Sequence, residues 1–541
     1  MTYKLSTDGV AAVLAALVLS FSWMNVVAAD DRPNLTVAVN TLPRGLEPAE
    51  RTGNVDVRVT YSIFDTLIRR DFRNPHPDGG VRLVPHLAES WKRLDAKTVE
   101  VRLRKGVKFH NGDELTADDV TFTFSPERLW GENSVIANGR DYFDHLERVE
   151  KIDPYTVRFT TKKPDVVFEH RLSTYTSWVV NARSWLQFKD KTPKDAAGKP
   201  IGKETAWLDE ALKANRWNPV GTGPYKFKSW KKNEFVQLEA HDAYFLGKPA
   251  AKAVTFRSIP ETATRIAGLV SGEFDIIVDV PPDQIPVLDR YKDLEARSVV
   301  LENTHVLVFN TNHPVLKDKR IRQALSLAID RNRLIKSLWH GKTYTPNGHQ
   351  IPSFGPMYNK SRRGYVYDLE KAKQLLKEAG YKGQSVTYRL IPNYYLNGLE
   401  AAQVVQEMWK KIGFNVELQM VENFDQKRTP DAAIYAWSNS YRLPDPTGAI
   451  DVLWGESSGI QIKYKYWTSK PFNDAARIVL TSPDMKVRYD QFQKMLDVFE
   501  DDMPMTMLYN PLQTYGVRRK IDWRPSELFF MDLRPDNFKF K

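Results

Sequence analysis

The apolar residues of this chain switch between two spacings from one end to the other, and that switching limits the fold more than any single motif. NLTVAVN (34–40), TVEVRLRKG (98–106) and AVTFRSIP (253–260) alternate apolar and polar residues, as a strand with one buried face does. VTYSIFDTLIRRD (59–71), KRIRQALSLAIDRNRLIKSLW (319–339), LEKAKQLLKEAGY (369–381) and KVRYDQFQKMLDVFEDD (486–502) carry their apolar residues at helical spacing instead. The 319–339 stretch is the strongest amphipathic helix in the chain. Thr116 reads as an N-cap with Asp118 and Asp119 in the first turn, and Gly380 as a C-cap. RVEKIDPYTVRFTTKKP (148–164) reads as a hairpin turning at Asp153-Pro154, YKFKSWKKNEFVQLEAH (225–241) as two strands, and THVLVFNT (304–311) as a buried strand. ETATRIAGLVSGEFDIIV (261–278) and EAAQVVQEMWKKIGFNVELQMV (400–421) each read as a helix followed by a strand. Strands and helices interleaved in this way predict an α/β protein with mixed sheets. With 541 residues, two or more domains are expected. No repeat or low-complexity linker marks where they divide.

The N-terminus reads as an export signal. VAAVLAALVL (10–19) is an apolar run too short to span a bilayer, and VVAADD (26–31) places small residues before a cut after Ala29. Residues 1–29 are therefore expected to be removed. The chain has no cysteine, which excludes disulfides, thiolate metal sites, cysteine nucleophiles and a lipid-anchored cut site. The mature protein is expected to be soluble and periplasmic. Its net charge is +11, but the Lys and Arg are interspersed with acids and no polybasic block stands out. Nucleic-acid binding is not expected.

Catalytic patterns are few. GESSG (455–459) fits a nucleophile-elbow spacing around Ser457, but an elbow needs a strand before and a helix after. IQIKYKYW, which follows, alternates like a strand or an extended loop. A secreted serine hydrolase is the distant alternative. GTGPY (221–225) is no phosphate loop, because proline follows the second glycine. The ten histidines form no metal motif, and His86 and His110 read as structural. No enzyme activity, cofactor or metal is expected.

Five segments in order resemble the family 5 extracellular solute-binding proteins, the large receptors of dipeptide, oligopeptide and nickel ABC importers. They are LVPHLAESWKRLDAKTVEVRLRKGVKFHNGDELTADDVTFTF (83–124), PVGTGPYKF (219–227), RIAGLVSGEFDI (265–276), FNTNHPVLKDKRIRQALSLAIDRNRLI (309–335) and DLEKAKQLLKEAGY (368–381). In them Gly106, Gly112, Gly221 and Gly223 suit tight turns, Trp91 and Phe109 suit core anchors, and Lys319, Arg320 and Arg322 suit a solvated face. The resemblance implies a two-lobed periplasmic binding-protein fold with an extra subdomain on the first lobe. Lobe I would take 30–65, 215–301 and 505–541, the subdomain 66–214 and lobe II 302–504. Hinge strands would lie near Asn303–Val306 and Met503–Met507. It further implies a monomeric receptor that closes over a peptide or small-molecule ligand and docks on an inner-membrane ABC permease.

WSNSYRLPDPTG (437–448) aligns with the pocket segment of that family. In its peptide receptors a carboxylate three residues before Asp-Pro binds the peptide ammonium, and here that position is Arg442; a shifted alignment offers Ser440 or Asn439. Two readings stay open. Arg442 enters the pocket and forks onto a carboxylate or phosphate, as suits an anionic peptide, an opine-like conjugate, a polycarboxylate or a metal chelate. Or it faces solvent and another acid holds a ligand amine. Trp437, Ser440 and Tyr441 complete this candidate wall, with Tyr175, Thr176 and Trp178 from STYTSW (173–178) and Tyr394, Tyr395 and Asn397 from NYYLNG (393–398). Asp445 reads as a turn former.

Overall fold

A computed structural model of the protein describes residues 30–74, 80–189, 191, 205–392 and 394–541. The expected export signal, residues 1–29, lies outside them. Three sheets organise the chain. The largest has seven strands, in the order Leu294–Val300, Leu512–Arg518, Ile276–Ile277, Leu35–Val39, Ala253–Ser258, Phe235–Ala240 and Tyr225–Lys231. Its centre is parallel and its edges antiparallel. The second has five, in the order Val416–Met420, Val386–Leu390, Ile434–Ser440, Asn303–Phe309 and Met505–Tyr509, again mixed. A third, antiparallel, orders Ala88–Arg93, Thr98–Leu103, Thr156–Thr161 and Leu146–Asp153.

These elements follow the patterning closely where the period is clean. Every residue of Asn303–Phe309 is buried, as a β-rich strand covered on both faces should be. The hairpin turns where Asp153-Pro154 predicts. Thr116 caps Ala117–Thr123, and its N–H donates to Asp119 Oδ2 at 3.0 Å. Gly221 and Gly223 serve a close approach: a Cβ on Gly221 would lie 2.1 Å from the Ile63 carbonyl oxygen, and Gly223 N–H donates to that oxygen at 2.9 Å.

Four expectations need correction. Residues 59–71 are not one helix. The helix Asn54–Thr60 stops and a strand, Ile68–Arg70, follows. Asp65 between them is fully buried, and it accepts from Arg534 Nη2 at 2.7 Å and Thr222 Oγ1 at 3.0 Å and sits 2.7 Å from His86 Nε2. Reaching those partners takes the chain out of the helix. Residues 319–339 form two helices, Lys319–Leu327 and Arg331–Trp339. Asp330 breaks them, its side chain accepting from Arg333 N at 3.0 Å as an N-cap. Arg322 is buried rather than solvated and donates to the Leu316 carbonyl at 2.6 Å and the Met503 carbonyl at 3.1 Å. Trp91 is half-buried on the third sheet, whereas Phe109 is fully buried.

Among the described residues the chain passes between the two large sheets twice, at residues 301–302 and 510–511. These points lie a few residues from the expected 303–306 and 503–507, because Asn303–Phe309 and Met505–Tyr509 are both full members of the five-stranded sheet. The crossings run side by side: Leu301 N donates to the Pro511 carbonyl at 3.0 Å and Thr304 Oγ1 to Asn510 Oδ1 at 2.7 Å. Arg70 forks onto Glu302 with two bonds of 2.6 Å, tying the first crossing to the N-terminal part of the chain.

A candidate ligand cleft between the two large sheets

Beside the crossings lies a cavity of about 630 Å³, within the range that encloses a small ligand. One wall comes from the seven-stranded unit. The turn after Leu35–Val39 supplies Thr41, the helix Asn54–Thr60 supplies Arg58, and Glu261 stands before the helix Thr262–Ser271. Arg58 is buried and faces Asp279 at 3.8 Å, with two guanidinium nitrogens lacking hydrogen-bond partners. The opposite wall comes from the five-stranded unit: His305 on the strand Asn303–Phe309, and Tyr394, Tyr395 and Asn397 on the turns that enter the helix Gly398–Lys410. Burial pushes the His305 imidazole down to about 3, and the Lys427 charge adds to the effect. His305 is therefore neutral, and it packs on Tyr395 at 4.5 Å between ring centres.

The residues singled out in the sequence separate into three groups. Tyr394, Tyr395 and Asn397 line the cavity. Ser440, Tyr441, Thr176 and Trp178 do not. The strand Ile434–Ser440 runs on to pair Ser440 with Asn303, which draws Ser440 and Tyr441 into the core. Ser440 Oγ accepts from Asn303 Nδ2 at 3.2 Å, and the Tyr441 hydroxyl meets Thr304 Oγ1 at 3.1 Å. Thr176 and Trp178 are equally buried, Trp178 against Phe530. The third group, Arg442 and Tyr175, lies where the two units touch. The guanidinium of Arg442 donates to the Tyr142 hydroxyl and stands 4.9 Å from the Tyr175 ring centre. Thr174 Oγ1 donates to the Arg442 carbonyl, and Val166 N to the Leu480 carbonyl at 3.3 Å. Arg442 thus does not line the cavity; it is half-buried and packs against tyrosines of the N-terminal part. Its Nε is buried without a partner.

Trp437 is half-buried, and Arg428 lies over its ring at 4.5 Å. Sequence reasoning missed Arg428, its neighbour Lys427, and the cavity residues Arg58 and His305. Phe424, Lys427 and Arg428 recur at the spacing of one helical face, and that pattern in NFDQKR (423–428) was the available signal. Asp445 is the turn former expected, accepting from Thr447 N at 3.0 Å; it also pairs with Arg488 at 2.6 Å. Ser457 is exposed on a turn between Val452–Trp454 and Gly459–Ile462. With helices on both sides and no preceding strand, elbow geometry is missing, and the expected extended segment after it begins as a helical turn. Among the described residues no cluster of three metal-ligating side chains forms, and no helix is long and apolar enough to cross a membrane.

Known proteins share this architecture. The chain is 30% identical over 456 residues to the oligopeptide-binding protein AppA of Bacillus subtilis, covering 79% of this chain and 78% of that one. It is 27% identical over 529 residues to the dipeptide-binding protein of Escherichia coli, covering 93% and 94%. Among solved structures, the periplasmic binding protein DppA of Helicobacter pylori, in complex with the peptide STSA, superposes with a TM-score of 0.80 at 23% identity, over 94% of this chain and 98% of that one. That likeness identifies the α/β, two-lobed binding-protein fold, with the two mixed sheets as its lobes. Residues 82–459 match the family described as bacterial extracellular solute-binding proteins, family 5. The chain belongs to the family 5 bacterial extracellular solute-binding proteins.

Proposed function

We propose that this protein is the periplasmic receptor of an ABC importer, a soluble monomer that captures peptides by lobe closure and hands them to a membrane permease. One observation carries the reading: a ligand-sized cavity of about 630 Å³ lies between two sheets that the chain joins at two adjacent crossings. Two rigid bodies on a narrow double tether rotate about it, and a ligand touching both walls favours the closed arrangement. The peptide cargo follows from the relatives, whose names record oligopeptide and dipeptide binding. Lobe I takes residues 30–65, 215–301 and 511–541, lobe II takes 302–510, and residues 66–214, with the four-stranded sheet, form a subdomain on lobe I. Tyr394, Tyr395 and Asn397 are the ligand-contacting members of lobe II, and Arg442 with Tyr142 and Tyr175 fastens the closed state.

The test is titration of the mature protein with a mixed library of di- to pentapeptides, read by calorimetry and by the radius of gyration in solution. Saturable binding with a smaller radius is the expected result. No binding, from protein unfolded and refolded to strip any co-purified ligand, would rule out the peptide reading.

A further inference from the structure

Nothing in the fold's own packing explains Lys427. Its side chain is fully buried and its ammonium nitrogen makes no hydrogen bond. Buried cations ordinarily sit against an acid. Around Lys427 stand aromatic rings instead: Phe424 at 4.2 Å, Tyr395 at 5.7 Å and Tyr394 at 5.9 Å from the nitrogen to each ring centre. The charged or titratable groups facing it are Arg428, His305 and those two tyrosines. Arg428 adds a second cation, laid over Trp437 at 4.5 Å and Phe424 at 5.0 Å, with its Nε buried and unpartnered. Among the described residues neither cation forms an ion pair with a carboxylate. Two adjacent cations without an acid repel each other, and their dry aromatic surroundings strengthen that repulsion.

Position gives the arrangement a direction. Tyr394, Tyr395 and His305 all line the cavity, and Lys427 lies against the Tyr394 and Tyr395 rings, so the cations stand behind the cavity's lobe II wall. Both tyrosines sit on turns rather than in a helix or strand. Tyr394 also spans the cleft: its hydroxyl lies 3.8 Å from where a side chain on Gly53 would begin. We propose that the two tyrosines give way to seat a carboxylate of the ligand, held by Lys427 and Arg428, so that the preferred cargo is a peptide presenting a carboxylate there. The inference rests on the peptide-receptor reading and adds the chemical class of the cargo. A planar carboxylate fits the guanidinium fork of Arg428 and supplies the missing counter-charge to Lys427. Either an acidic side chain or the peptide C-terminus provides the group. Burial, with Arg428 adding to it, pushes the Lys427 amine well below its ordinary value. Seating an anion against that amine works in the opposite direction and favours its charged form.

The experiment is calorimetric titration of the mature protein at pH 7, in Tris, with Ala-Glu, Ala-Gln and Ala-Gln-amide. If the seat reads a side chain, exchanging Glu for Gln weakens binding about tenfold or more; if it reads the terminus, amidation does so. In either case both Lys427→Met and Arg428→Gln shrink the preference. Should Lys427→Met not fold, Arg428→Gln carries the same comparison. Equal binding of all three probes, or a preference unchanged in the variants, overturns the carboxylate seat and leaves the peptide receptor standing. A preference that Arg428→Gln shrinks and Lys427→Met leaves unchanged overturns the part assigned to Lys427. Failure of every peptide to bind overturns both readings together.

Discussion

Two buried cations in this molecule live under opposite conditions. Arg534, in the core of the seven-stranded unit, has Asp65 at 2.7 Å, Asp532 at 3.0 Å, the Tyr244 hydroxyl at 3.1 Å and the Phe64 carbonyl at 3.3 Å. Lys427, in the five-stranded unit, has rings around it and no partner. The first arrangement is what burying a charge requires for stability; burial works against the ionised Asp65, but His86 and Arg534 hold its carboxyl well below the usual carboxylate range. The second is a cost the fold carries. A site that gains its missing partner only from a ligand is expected to be unfavourable without it.

The contrast breaks first at Asp65. Asp65→Ala leaves Arg534 and His86 buried with their anion gone, and should cost about 3–5 kcal/mol, measured as a drop in the urea midpoint at constant slope. A loss under about 1 kcal/mol would mean the network is not the stabilising unit described.

Acid sharpens the comparison through the histidines. His305 and His349 face no acid, and burial pushes each down to about 3. Their folded values lie below the unfolded value of about 6.5. Stability is therefore complete above pH 6.5 and falls as the unfolded chain takes up protons below it. From pH 6 to pH 5 the two together should remove about 2 kcal/mol. A His305→Phe, His349→Phe double variant should lose that slope, and an unchanged slope would count against it.

The smallest effect is at Lys427. Removing an unpartnered buried amine with Lys427→Met should stabilise the ligand-free protein by about 1–2 kcal/mol. Its folded value is depressed, so the wild type gains stability as pH rises toward about 10.4, where the unfolded lysine also discharges. The gap between variant and wild type should close over that range. A destabilised variant would indicate that Lys427 has a partner in solution.

Much of the fold was legible because the period was clean and the turns were marked. Leu35–Val39, the 146–161 hairpin and Asn303–Phe309 are examples. The break at Asp330 was not legible: one capping aspartate interrupts an otherwise continuous helical pattern. The candidate site divides the same way. Tyr394 and Tyr395 precede a helix and line the cavity, as loop chemistry suggests. Ser440 and Tyr441 looked like loop residues, but the register that pairs Ser440 with Asn303 is a tertiary fact. That Lys427 lacks an acid is equally invisible in a chain with 67 acids, since only the folded arrangement shows which of them are near.

The tie between Arg534 and Asp65 also has a consequence in time. The two residues are 469 positions apart. At about 5–20 residues/s, a ribosome that has made the first needs about 25–90 s to make the second. Throughout that interval the N-terminal core lacks its central counter-ion, the strand Leu512–Arg518 and the ring of Phe530, which stacks on Tyr61 at 4.3 Å. The early chain therefore lacks part of its native core while it is being translated. The ordering works as a built-in delay: the last-made thirty residues complete the core that the first-made ones begin.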